Sequence, residues 1–381
     1  MLRLEVLPFT EQLWSGIGAD WRSLLSRTGC TSVFLSAPWI ATWLDVFGER
    51  LRPEALIWRD ASDTVVAACL LTLRRERRGP FNVQRAYLNA TGEDTLASEH
   101  NLLLCVPEAS NAVHADLVRL IRLRNADSVM LCGFSAEAAT AMRDAWPVAG
   151  AVDGFTSDDR FVPLARLREE RKEYLSSLSR NSREQIRRSI RQYREALGPA
   201  TVEVAATADV ALEWFAQLRV LHAERWAAKG SPGAFGTPDA IRFHVSLIRG
   251  HAESGDQAGA FAVHLVRVRF GDVVVGILYN LVYCRRVSFY QSGLGYTNSK
   301  GAKPGLVTHT MAIQRYLEGD AEEYDFLAGD PDAARYKESL GSEQRALLWQ
   351  ELMMPSLKIR LIETLRDWRR KSRTFRESRS R

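Results

Sequence analysis

The loop Lys300-Gly301-Ala302-Lys303-Pro304-Gly305 leads straight into an apolar-periodic segment that opens with Leu306. Glycine permits close backbone approach, proline suits a first helical turn, and free N–H groups at a helix start attract anions. Two lysines add point charges fit for a pyrophosphate, although the same residues also make a plain surface turn. Further along, Asp325 closes an apolar strand pattern, where a carboxylate either orients an amine or caps the next turn. Tyr290 and Tyr296 flank the end of another strand, placing hydroxyls where a substrate would pass. His222, Arg225 and Trp226 share a long helical segment, as substrate contacts or as a hydrogen-bonded structural motif. His309 falls in the second turn after the loop and reads as an exposed helix residue, and Tyr336-Lys337 reads as a helix-surface pair or a catalytic one. No His, Cys, Asp and Glu spacing resembles a metal site, and no serine has the context of a nucleophile elbow.

The elements that must position these groups come twice in the same order. In the first half, strands are expected at 2–7, 54–59, 64–74, 83–89, 101–106, 128–134 and near 147–153. Helices are expected at 11–27, from Ala37-Pro38 behind an N-capping Ser36, at 108–124 and at 135–145. In the second half, strands are expected at 201–205, 259–270, 272–283, 286–293, 322–327 and 344–352. Its helices fall at 208–229, 238–253, 305–318 and 330–341, and Gly271-Asp272 makes a tight hairpin turn. Both halves reduce to β-α-α-β-β-β-α-β-α-β, an α/β chain with two copies of one topology. The place equivalent to the lysine loop in the first half is Ala90-Thr91-Gly92-Glu93-Asp94, whose carboxylates repel phosphate. A phosphorylated donor therefore belongs to the second half.

Between the halves, a helix of about 167–197 places Arg180, Arg183, Arg187, Arg191 and Arg194 on one stripe. Ile186, Ile190, Tyr193 and Leu197 form an apolar stripe about a quarter-turn away. Such a basic edge is either a solvated face or a track for phosphates, of a nucleotide tail or an RNA.

The chain has 381 residues, 46% of them hydrophobic and 25% charged, values of a globular protein that exclude a disordered or fibrous one. The 51 Lys and Arg outnumber the 46 Asp and Glu, giving +5. Residues 356–381 hold ten Lys/Arg against three Asp/Glu, a net +7, so everything before them is slightly acidic. In that tail Leu357, Leu361, Leu365 and Trp368 recur at helical spacing. An amphipathic helix docked on the core is expected, followed by a basic end that is either a solvated tail or a contact for anionic lipid or RNA. No apolar run reaches membrane-spanning length, and Glu5 interrupts the apolar core a signal peptide needs. Cys69, Cys105 and Cys132 lie in apolar runs and read as reduced core residues, so a cytoplasmic protein is expected.

Several stretches follow one another in a recognisable series: His222-Ala223-Glu224-Arg225-Trp226, Tyr290-Gln291-Ser292-Gly293, Lys303-Pro304-Gly305, Tyr324-Asp325-Phe326-Leu327-Ala328-Gly329 and Arg335-Tyr336-Lys337. Pro38-Trp39 and Trp43–Gly48 add to it in the first half. With this strand order, the chain resembles the GNAT acyltransferases in tandem: two mixed, mostly antiparallel sheets flanked by helices. Over about 155–350 it is similar to the subfamily named for the CelD/BcsL proteins of cellulose biosynthesis. The resemblance implies a GNAT-like unit over 1–155 without a donor site, a second over 156–355 with one, and a tail over 356–381. It implies that acyl-CoA, acetyl-CoA for instance, lies between strands 286–293 and 322–327, and that its acyl group passes to an amine of a small molecule or an envelope polysaccharide precursor. In the family loop Gln/Arg-x-x-Gly-x-Gly/Ala, Lys300 takes the first position, Lys303 replaces the first Gly and Gly305 takes the last, so Lys300, Gly301, Lys303, Gly305 and Leu306 are the implied donor contacts.

Many GNAT enzymes carry a thiolate-protonating Tyr four residues before the Gly that ends the last helix. Here that position is Lys337, beside Tyr336. A Lys there resembles the Fem-type ligases, tandem enzymes that draw amino acids from aminoacyl-tRNA, for which the arginine stripe would be the tRNA contact. The implied catalytic set is Lys337, Tyr336, Asp325 and Tyr290. The implied substrate contacts are His222, Arg225, Trp226 and Tyr296, and no metal is implied. A degenerate acyltransferase acting as a binding module is the non-enzymatic alternative.

Overall fold

The computed structural model describes residues 2–147, 152–227, 230, 233–252, 261–296, 301–328, 334–362 and 364. The first half contains β1 (Arg3–Pro8), α1 (Leu13–Thr28), α2 (Ala37–Leu51), β2 (Glu54–Arg59), β3 (Val65–Arg78), β4 (Phe81–Leu88), β5 (Leu104–Cys105), α3 (Ser110–Leu123), β6 (Ser128–Ser135), α4 (Ala136–Ala145) and β7 (Val152–Val162). A connector follows, with α5 (Leu164–Glu169) and α6 (Arg180–Leu197). The second half contains β8 (Ala200–Val204), α7 (Ala208–Ala227), α8 (Pro238–His251), β9 (Ala262–Phe270), β10 (Val273–Tyr283), β11 (Arg286–Leu294), α9 (Pro304–Glu318), β12 (Glu323–Asp325), α10 (Ala334–Glu338) and β13 (Glu343–Met353). The repeated order read from the sequence is present in both halves, with β5 as an addition to the first.

The strands form one thirteen-stranded sheet in the order β1-β2-β3-β4-β6-β13-β7-β12-β11-β10-β9-β8, with β5 joined to β3 off this path. The order is palindromic because the halves exchange their last strands. β13 leaves the second half to pair with β6, and β7 leaves the first half to pair with β12. The two exchanged strands pair antiparallel at the centre, with Ser157 opposite Leu347 at the point about which the halves interchange. Antiparallel pairs dominate. The parallel ones are β4 with β6 and β11 with β12, at equivalent places in the two halves.

The sequence placed the last strand of the first half near 147–153, whereas the structure has it at Val152–Val162. Its residues, VDGFTSDDRFV, are too polar to read as a central strand, and they become one because partners cover both edges. At Gly154 a Cβ would sit 2.1 Å from the Trp349 carbonyl oxygen, so only glycine fits that close approach. The strand expected at 101–106 contracts to Leu104–Cys105, because the residues before it leave the sheet edge and reach across to the other half. The expected helix of 167–197 is broken. After α5, Arg171 takes φ +53°, and Tyr174, Leu175 and Leu178 turn into the core. The Tyr174 hydroxyl donates to the Leu340 carbonyl at 2.8 Å, and Ser179 then starts α6 by accepting from the Ser182 N–H.

Helices cover both faces of the sheet. On one face α2 packs on α8, with Trp39 against Phe243 at 4.7 Å and against Tyr290 at 5.9 Å, so the helical pairs of the two halves share one core. On the other face α9 lies over Leu278, Phe289 and Tyr324. The final helix, 357–362, docks through Ile359 and Ile362 against Val83 and Met353, a correction to the leucine stripe. Leu357 and Leu361 are 79% and 56% exposed. Leu365, Trp368 and the basic end lie outside the described residues. The five cysteines are free, with Cys69 in the core and Cys105 and Cys132 half-buried. Among the described residues no helix is long and apolar enough to cross a membrane.

Strand exchange couples the halves. Leu347, 1% exposed at the exchange point, makes the test. Leu347→Ala is expected to cost about 3 kcal/mol. Urea unfolding followed by fluorescence and by circular dichroism should stay one coincident transition, and two resolved transitions would contradict the coupling.

Candidate active site

β11 and β12 pair only from Arg286 opposite Glu323 to Ser288 opposite Asp325. Beyond that rung β11 continues to Leu294, while the chain after β12 bends away, so the sheet opens into a cleft. The bend is held from three directions. The Leu327 N–H donates to Asp325 Oδ1 at 2.6 Å, which fixes Leu327 in the left-handed region at φ +56°. The Ala328 N–H donates to Glu99 Oε2 at 2.6 Å, a carboxylate that arrives from the first half. Lys337 Nζ donates to the carbonyls of Leu327 and Ala328 at 2.6 and 3.1 Å. Of the two roles open to Asp325, the structure realises the cap. Lys337, 5% exposed, is committed to the same bend and ties α10 to the strand end.

Behind the cleft lies a buried ionic cluster. Arg345 of β13 donates through Nε to Asp159 Oδ2 at 2.5 Å, through Nη2 to Asp325, and through both Nη atoms to Glu323. His100 Nε2 stands 3.0 Å from Asp325 Oδ2 and 3.3 Å from Asp159 Oδ2. His100, Asp159 and Asp325 are close enough for one metal ion, and the Arg345 guanidinium bonds an oxygen of each carboxylate. Burial pushes the Asp159 carboxyl up to about 8, helped by the Asp325 charge. Burial works against a charged His100, but Asp325 and Asp159 outweigh it and raise the imidazole to about 10. For Asp325, burial is again outweighed, and the His100 and Arg345 charges hold it well below the usual carboxylate range.

The first half supplies this wall through 89–103, the stretch equivalent to the lysine loop. Asp94 there pairs with Arg74, and Glu93 caps Thr95 and Leu96, so its carboxylates serve the loop itself. The Ala97 N–H donates to the Tyr290 hydroxyl at 3.1 Å, and Tyr290 is 6% exposed among Trp39, His244 and Tyr279. Tyr290 thus joins the halves inside the core instead of presenting its hydroxyl to the cleft. His222 is also tied: Nδ1 lies 3.2 Å from the Ser292 carbonyl, and Nε2 accepts from the Ala234 N–H. Trp226 packs beside it at 5.8 Å. His309, expected to be exposed, is fully buried, with Nδ1 3.0 Å from the Tyr324 hydroxyl. Burial first, then the Lys337 charge, lowers it to about 3 and keeps it neutral.

At the open end of the cleft Arg225 lies over the exposed Tyr296 ring at 5.7 Å. Tyr336 stacks on His309 at 5.9 Å, and burial raises its phenol, so it enters any reaction protonated. The lysine loop stands on the opposite face from the ionic cluster. Lys303 is exposed at the N-terminus of α9, its N–H bonded to Ser189 of α6 at 3.3 Å, and the N–H groups of Gly305 and Leu306 open the helix behind Pro304. Gly301 takes φ +93° with open space around it, so its backbone angle calls for glycine. Lys300 lies outside the described residues. On α6, Arg180, Arg187, Arg191 and Arg194 are exposed without ion pairs among the described residues. Arg183 is half-buried and donates to the Ser176 and Leu178 carbonyls.

The residues that the sequence reading did not single out are Glu99, His100, Asp159 and Arg345. Each is contributed by a strand or loop that crosses to the other half, and none stands in a local pattern.

Comparison with known proteins bears on this arrangement. Residues 180–338 match the family described as an acetyltransferase (GNAT) domain. A conserved protein of unknown function from Bacteroides thetaiotaomicron VPI-5482 superposes with a TM-score of 0.57 at 10% identity, over 93% of this chain and 100% of that one. The crystal structure of FemX gives a TM-score of 0.57 at 11% identity, over 93% and 98%. The C-terminal DUF2156 domain of a putative lysylphosphatidylglycerol synthetase from Agrobacterium fabrum gives 0.51 at 11%, over 92% and 95%. No curated protein matches. At such identities the structures share the fold.

The cluster makes stability depend on pH with a definite sign. His100 and Asp159 bind protons more tightly folded than unfolded, so the Asp159 contribution falls as pH rises from about 3.8 towards 8 and the His100 contribution as pH rises from about 6.5 towards 10. Denaturation midpoints of the wild type should fall across pH 7–10. His100→Asn should lower stability at pH 7 and flatten that slope, and an unchanged slope would remove the histidine from the account.

Proposed function

We propose that this chain is an N-acyltransferase that takes its acyl group from acyl-CoA in the second half and passes it to an amine. The observation that carries the reading is the cleft itself, where β11 runs on from Ser288 to Leu294 beside the bend held by Asp325, Glu99 and Lys337. An extended amide chain such as pantetheine can pair with an unpartnered strand edge, since backbone N–H and C=O groups need partners. Its pyrophosphate would then meet Lys303 and the N–H groups at the start of α9. The GNAT match over 180–338 supports this choice of half, and the resemblance to CelD/BcsL proteins makes an envelope precursor one candidate acceptor.

In the reaction the amine lone pair attacks the thioester carbon, the C–S bond breaks, the nitrogen releases a proton and the departing thiolate takes one up. Tyr336, packed on His309 and held protonated by burial, is the group assigned to the last step. Lys337 acts by fixing the bend, as a positioning residue.

A second reading takes the donor from aminoacyl-tRNA, favoured by the four exposed arginines of α6. Charged-tRNA retention that falls steeply with salt would support it over acyl-CoA.

Acetyl-CoA at a hundred times its Kd should stabilise the protein by about 2.7 kcal/mol, read as a rise in melting temperature. Lys303→Glu should weaken that binding about tenfold, or about 1.4 kcal/mol. Tyr336→Phe should leave binding intact and slow CoA release to an amine acceptor, as measured by thiol titration, by about 100-fold. Absence of any acyl-CoA shift would count against the reading.

A further inference from the structure

A cavity of about 370 Å³ lies between the halves, lined by His100, Ser288, Arg286, Asp325, Arg345 and Ser32 among others. It opens on the sheet face opposite the lysine loop. Ser288 and Asp325 alternate along their strands with Phe289 and Tyr324, which lie beneath α9. The last rung before the cleft therefore has the proposed donor site on one face and this cavity on the other.

The lining has a specific charge pattern. Arg345 is bonded to Asp159, Asp325 and Glu323, and His100 stands against Asp325 and Asp159. Arg286 has no ion pair or hydrogen bond from its guanidinium among the described residues. Its cross-strand neighbour Glu323 is held at both oxygens by Arg345, while the adjacent Arg285 takes Asp320 and Glu322. The Ser32 hydroxyl, of a residue also lining the cavity, is buried with no hydrogen-bond partner among the described residues. A cavity lined by a half-buried guanidinium with no partner among the described residues, and by a hydroxyl in the same condition, is a site for a planar anion, because the fork of N–H donors matches a carboxylate at two points.

We propose that this cavity binds the carboxylate of the acceptor, so that the acceptor is an amine that also carries a carboxylate: an amino acid or the end of a short peptide. The proposal rests on the N-acyltransferase reading for the word acceptor; the carboxylate site follows from Arg286, Ser32 and the cavity. The volume suits a small molecule or a chain end, at the low end of the roughly 300–1,000 Å³ of ordinary ligand pockets.

The test is calorimetric titration of the full chain with the common α-amino acids and, in parallel, with their carboxamides. At least one amino acid should bind, with its carboxamide about tenfold or more weaker. Arg286→Gln should lose that preference while its melting temperature and acetyl-CoA affinity stay at wild-type values, and Arg286→Lys should keep part of it. The proposal is overturned if the carboxamides bind as well as the acids, if Arg286→Gln leaves the preference intact, or if inorganic phosphate binds more tightly than any carboxylate. It is also overturned if no amino acid binds at about 10 mM, above the usual range of substrate sites. Loss of acyl-CoA binding in the wild type would instead remove the enzymatic reading and leave the carboxylate site standing.

Discussion

Arg345 is where the two halves of this protein become one structure. It sits on a strand contributed by the second half, pairs with Asp159 on the strand contributed by the first, and reaches Asp325 and Glu323 at the base of the cleft. His100 closes the cluster from a first-half loop. A buried ion pair of this kind gives little net stability against a well-packed apolar alternative, but removing one member leaves an uncompensated charge and costs about 3–5 kcal/mol. Its effect is to specify geometry: strand exchange, cleft and loop placement have to agree for these charges to be satisfied together.

The same economy explains the division of labour between the halves. The stretch 89–103 corresponds to the phosphate-binding candidate of the second half, yet it carries Glu93, Asp94 and Glu99. Having no anion to cradle, it reaches across the sheet instead. It touches Tyr290 through Ala97, holds the Ala328 N–H through Glu99 and places His100 on Asp325. One copy of the fold supplies the cleft, and the other supplies the wall that holds it open.

Much of the fold was legible in local pattern. Ser36 before Ala37-Pro38 does cap α2, accepting from the Trp39 N–H, and Gly271 takes φ +54° at the hairpin turn. Those features depend on neighbours in the chain. The exchanged strands did not announce themselves: β7 contains Asp158 and Asp159, which argue against a central strand until Arg345 and β12 arrive beside them. The candidate site was legible as a neighbourhood, since Asp325, Lys337 and Tyr336 do converge there. Their individual duties were not, because a buried lysine donating to two carbonyls and a catalytic one have the same sequence.

By itself the amino-acid sequence determined the repeated order of strands and helices, the half whose loop carries lysines where the other carries carboxylates, and the positive charge of α6 and the tail. These follow from periodicity, capping and residue charge, which act over one to four residues along the chain. Only the tertiary structure decided which strands sit at the centre, that Lys337 and Asp325 hold a bend, and that Arg286 lines a cavity with no partner among the described residues. Hydrogen bonds and ion pairs between residues as far apart as His100 and Asp325 depend on distance in space. No local pattern carries that distance until the chain has folded.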